Sequence, residues 1–163
     1  MIKRIGPKYH ERVVAKMKIN MTQINRQVKQ LREQSTNLRA AQTSLLTYHR
    51  NLQAHWKGME MDPVNQAISD YSRSLATIAT EIDSISSEVL LRAQILEEAQ
   101  EALIRAEADR NRTQSTLSQV QTRVNATEEP SASLLAELNT AKDNHNRAVS
   151  VHNSAAARVR ELS

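Results

Sequence analysis

Between Pro63 and Pro130 the chain contains neither glycine nor proline, and apolar residues recur there at alternating spacings of four and three. That pattern is the signature of a coiled-coil seam. One row is Val64, Tyr71, Ile78, Ile85, Arg92, Ala99, Ala106, Thr113 and Val120. The other is Ile68, Leu75, Ile82, Val89, Leu96, Leu103, Arg110, Leu117 and Val124. A helix of about sixty residues is roughly 90 Å long at 1.5 Å per residue. Nothing in the segment forces a break. Asp62-Pro63 reads as its start, with Asp62 as N-cap and Pro63 at the first helical position.

The same spacing governs the residues before it. From about Lys8 to Trp56 the rows are Met17, Ile24, Leu31, Leu38, Leu45, Leu52 and Met21, Val28, Ser35, Gln42, His49, Trp56. Pro7 suits the first turn of this helix. After Thr127-Glu128-Glu129-Pro130 a third pattern follows, with rows Leu134, Ala141, Ala148, Ala155, Leu162 and Leu138, His145, His152, Val159. Its seam is alanine-rich, which lets helix axes approach but buries less surface.

Short connections make antiparallel neighbours. The expected fold is therefore all-α: a long antiparallel helical hairpin with a third, C-terminal helix, forming an elongated coiled-coil-like rod. Residues 1–126 are expected to be the hairpin with its extended second helix. Residues 131–163 are expected to fold back on that second helix. The near absence of aromatics, 2% with no Phe, fits long helices better than a compact globular core. Val13, Val14, Ile19, Leu46, Leu135, Val149 and Val151 lie outside the principal rows and as a set allow a second seam for a partner. A thin rod of this kind is expected to act as a homodimer or heterodimer.

Little in the chain suggests chemistry. Of the five histidines, His10, His49, His55, His145 and His152, no two are three or four residues apart, so no helix presents a histidine pair to a metal. There is no Gly-rich phosphate loop and no nucleophile–base set. We expect no enzyme activity and no cofactor. The net charge of +4 is mild, and the basic opening (Lys3, Arg4, Lys8, Arg12, Lys16, Lys18) reads as a solvated helix start rather than a nucleic-acid patch. Met1–Ile5 is basic but no apolar run follows, so no classical signal peptide and no stable membrane insertion are expected. Polar residues interrupt the core rows at Ser35, Gln42 and His49 and again at Arg92, Arg110 and Thr113. Such groups cost stability but fix register and partner choice. Ser35, Gln42, His49 and Arg92 are the candidate specificity positions, meeting complementary groups on a partner chain or, if the seam rotates, facing water.

The single tryptophan stands two residues before one of only two glycines, in the gap between the first two helices. A long helix, Trp56-Lys57-Gly58 and a second long helix resemble the WXG family of small type VII secretion proteins, over Leu38 to about Ala106. In that resemblance Trp56 closes the core row of the first helix and Gly58 supplies the freedom of the turn, making these two the hinge and partner-binding residues. The resemblance implies a hairpin that pairs with a helical partner, such as the N-terminal domain of a secreted toxin of the LXG type. It also implies a bacterial protein that is cytoplasmic before export and secreted with its partner. Three features depart from the family: the third helix, a long first helix, and the missing Tyr-x-x-x-Asp/Glu export signal. Tyr9, Tyr48 and Tyr71 are followed four residues on by Val13, Leu52 and Leu75. The departures favour an accessory partner over an independent effector. The rival reading is a structural coiled-coil spacer or scaffold unrelated to secretion.

Overall fold

The computed structural model describes residues 19–163. These form three helices, α1 (Met21–His55), α2 (Met61–Asn125) and α3 (Ala132–Leu162), and no strand occurs among the described residues. The protein is all-α, as expected. The expected helix start near Lys8, Pro7 in its first turn, Met17 in its core row, and Val13 and Val14 lie outside the described residues.

Each helix begins where local chemistry satisfies its free amides. Asn20 caps α1, its side chain accepting from Gln23 N–H at 3.0 Å. Ser131 caps α3, accepting from Leu134 N–H at 3.2 Å. Such caps contribute about 1 kcal/mol each. The start of α2 differs slightly from expectation: Met61 is already helical, so Asp62 lies inside the first turn rather than capping it. A carboxylate there still meets the positive end of the helix dipole, and Pro63 still loses no hydrogen bond.

Contacts divide the chain into two compact units. In the unit Asn20–Gln94, α1 packs antiparallel on the first part of α2. Both expected rows of α1 turn inward: Val28 and Ser35 are buried, and Ile24, Leu31, Leu38, Gln42, Leu45, His49 and Leu52 are half-buried. On α2 Ile68, Leu75 and Ile82 also face α1, but Val89, next in that expected row, is 41% exposed. In the companion row Val64 is half-buried, as Asn65 is, but Tyr71, Ile78 and Ile85 are not turned inward. The residues turned to α1 are Asn65, Ser72, Ala79, Ser86 and Ala93, one position on from the expected Val64, Tyr71, Ile78, Ile85 and Arg92. Ile78, Ile85 and Tyr71 remain 45%, 53% and 68% exposed.

The reason is a match of size and polarity. A line of Ser and Ala lets the two helix axes come close. Ser35 Oγ then reaches the backbone itself and donates to the Ala79 carbonyl at 3.0 Å. A row of isoleucines would hold the helices apart and leave Ser35, Gln42 and His49 without partners, which is costly for buried polar groups.

The second unit comprises Ile95–Ser163 with Ile19, whose N–H donates to Gln100 Oε1 at 3.2 Å. Here α3 packs antiparallel on the later part of α2, along the rows expected. Ala99, Leu103 and Val159 make one buried cluster with Leu96, Ala155 and Ala156 around it. Val120, Leu138 and Ala141 make another, flanked by Leu117, Val124 and Leu134. Between them His145 Nδ1 meets Thr113 Oγ1 at 3.3 Å. Thr113 Oγ1 also lies within hydrogen-bond reach of the Asp109 and Arg110 carbonyls, at 2.9 and 3.0 Å. Leu162, expected in the seam, is exposed at the last helical position. Of the residues outside the rows, Ile19 and Val149 are half-buried, while Leu46, Leu135 and Val151 are exposed.

Candidate functional site

The hairpin turn is built from a short sequence with a clear local logic. Helix α1 ends at His55, whose ring Nδ1 lies 2.8 Å from the Asn51 carbonyl. Trp56 takes an extended conformation and donates its N–H to the Leu52 carbonyl at 2.9 Å, closing the last turn. Two residues later the Gly58 and Met59 carbonyls accept from Met61 and Asp62 N–H, at 3.0 and 3.2 Å, and α2 begins.

The tryptophan is not the core plug that its heptad position suggested. It is 48% exposed, because the chain leaves the helix at this residue and carries the indole off the seam. Its Nε1–H donates to Glu60 Oε1 at 3.1 Å. The space at Gly58 bears on the Glu60 side chain rather than on the backbone. Gly58 does not adopt the left-handed conformation, so backbone freedom is not its role. A methyl group there would stand 2.5 Å from the carboxyl atoms of Glu60. Gly58 therefore leaves room for Glu60 to fold back and hold Trp56. Met59 beside them is almost wholly exposed. Glu60 went unread in the sequence, although its four-residue spacing from Trp56 was visible.

The Glu60 carboxyl is held below the ordinary glutamate range, first by its own backbone N–H and next by the Trp56 indole. A depressed value means the contact is present above the ordinary value, about 4.3, and is lost as pH falls through a lower midpoint. Fluorescence of this single tryptophan should therefore show an acid transition centred below about pH 4.3. Glu60→Gln should abolish the transition, and Gly58→Ala should weaken it by displacing the carboxylate. A transition surviving in Glu60→Gln would show that another group holds the indole.

The polar positions of α1 are brought together with α2 of the same chain. Gln42 Nε2 donates to Ser72 Oγ at 3.2 Å. His49 Nε2 and Asn65 Oδ1 are 2.6 Å apart, and Gln53 Nε2 donates to the same oxygen at 3.1 Å. With Ser35 on Ala79, these contacts form a ladder whose rungs are seven residues apart on both helices. Arg39 adds an ion pair with Asp83 at 2.6 Å on the edge. That carboxyl is held below the aspartate range, first by the Arg39 hydrogen bond. Both partners are about half exposed, so the pair itself adds little stability. Asn65 was not singled out from sequence; its place one residue off the expected row hid it.

Arg92 stands apart from this ladder. It faces solvent and pairs with Glu88 at 2.6 Å, because the row it belongs to is not the row turned to α1. Ser86 occupies the inward row but its hydroxyl is buried without a partner. Removing an unsatisfied polar atom is neutral or favourable. Ser86→Ala should leave urea stability unchanged or raise it by up to about 1 kcal/mol. A loss above that would reveal a hydrogen bond to this hydroxyl.

Among the described residues no group of three His, Cys, Asp or Glu side chains is placed to hold a metal ion. No described helix is long and apolar enough to cross a membrane. No family model matches the chain, and no curated protein or solved structure matches it. The resemblance at Trp56-Lys57-Gly58 accordingly rests on those residues and their place in the hairpin.

Proposed function

We propose that this chain is a non-enzymatic accessory protein of a type VII-like secretion system, which lays its hairpin along a helical partner such as the N-terminal domain of a secreted toxin. One observation carries the binding role. Tyr71, Ile78 and Ile85 stand at heptad spacing on α2 of the hairpin, each largely or half exposed. Isolated exposed apolar residues are ordinary, but a periodic apolar stripe on a helix is the form that helix-in-groove and coiled-coil recognition take. The half-exposed Trp56 and the exposed Met59 add apolar surface at the turn. The link to secretion comes from the resemblance at that turn.

The test uses the full chain in cells that naturally contain it. A photo-crosslinker at position 85 should trap one discrete heterologous protein with a helical N-terminal domain. Trp56→Ala should lower that yield several-fold while helicity stays unchanged. Crosslinks confined to the chain itself, or none, would remove the partner role. A trapped partner with no connection to export would leave a scaffold protein instead.

A further inference from the structure

We propose that the Ser35–Gln42–His49 ladder is a facing device: it decides which side of α2 is turned to α1, and so keeps the Tyr71–Ile78–Ile85 stripe presented. The choice made in the structure runs against hydrophobicity. Fully buried Ala79 and Ser86 take the seam while the adjacent isoleucines stay half exposed. By apolar burial alone, α2 would be turned by about half of one residue's step, roughly 50° at 3.6 residues per turn, bringing Val64, Tyr71, Ile78 and Ile85 against the leucines of α1. The row Ile68, Leu75, Ile82 borders both faces and serves either packing.

What distinguishes the two packings is polar. In the observed one Ser35 finds the Ala79 carbonyl, Gln42 finds Ser72, and His49 and Gln53 share Asn65. In the turned one these rungs would oppose isoleucine, tyrosine and valine, leaving buried Ser35 and the half-buried Gln42 and His49 without these partners. The same groups that weaken the seam as hydrophobic residues would therefore specify its face, the role that single core polar residues play in fixing coiled-coil register. The device holds whichever protein meets the stripe.

The chain contains no cysteine, so thiol probes can report the face directly. Single variants Ile85→Cys and Ser86→Cys are labelled with a maleimide, each in the native background and in a Ser35→Ala, Gln42→Leu, His49→Leu background. Accessibility controls labelling rate, so in the native background position 85 should react at least about tenfold faster than position 86. With the ladder removed, the order should shrink or invert while helicity persists. An unchanged order with persistent helicity would overturn the proposal. Loss of helicity with both thiols equally reactive would overturn it too, since α1 would then have no second face of α2 to accept. Restoring a rung by adding back Gln42 alone should move the rates part of the way towards the native order.

Discussion

Ala79→Leu should destabilise the hairpin unit by about 1–3 kcal/mol, the usual range for forcing extra methylenes into a packed site. Ala79 has no exposed surface, and its carbonyl is the acceptor for Ser35 Oγ across the seam. A leucine there must push α1 outward. The displacement breaks the Ser35 contact and strains the rungs above and below it, at Gln42–Ser72 and His49–Asn65. For a unit of this size, 2 kcal/mol corresponds to a fall of about 8–16 °C in midpoint temperature. The neighbouring change Ile78→Gln should cost less than about 1 kcal/mol, because its side chain is already half in water. Thermal unfolding of the two variants, followed by circular dichroism, compares adjacent residues directly. If Ile78→Gln proved the more damaging, the isoleucine row would be the one facing α1.

That contrast also marks where sequence reasoning stopped. The three helices, the break before Pro130, the inward rows of α1 and the seam of α2 with α3 were all legible, because period and caps are local properties of the chain. The face of α2 in the hairpin was not. Heptad reading favours the row with the largest apolar residues, and Val64, Tyr71, Ile78 and Ile85 outweigh Asn65, Ser72, Ala79 and Ser86 on that scale. Packing reversed the preference, since α1 brings polar groups that only a close approach of backbones can satisfy. The candidate site was read unevenly for the same reason. Ser35, Gln42 and His49 stood out as seam residues, but their partners on α2 follow from the antiparallel register, which sequence spacing alone leaves open. Trp56 was placed in a core row by extrapolating α1 one residue too far, and Gly58 was assigned a backbone role when Glu60 supplies the steric one.

Leu138→Ala should be the most damaging single truncation in α3, at about 2–3 kcal/mol, the low end for buried leucine because a thin seam can admit water to the space left behind. Leu138 is buried against Val120 and Ala141, with Leu117, Val124 and Leu134 packed around them. Of the other seam residues of α3, Val159 is buried against Ala99 and Leu103 and Leu134 is half-buried, while Ala141, His145, Ala148, His152 and Ala155 bring less apolar area. The remaining contributions near its start are smaller. The Ser131 cap contributes about 1 kcal/mol, and the exposed Arg123–Glu137 pair at 2.7 Å contributes less than that. Hydrogen exchange of α3 amides separates the three. Protection should fall about 30–100-fold in Leu138→Ala, about fivefold in Ser131→Ala, and under threefold in Glu137→Gln, at 1.4 kcal/mol per factor of ten. Raising salt should leave the first two losses unchanged, because burial and capping are not screened. If Glu137→Gln gave the largest loss, and salt reproduced it in the native chain, α3 would be held on α2 by charge rather than by its few buried side chains.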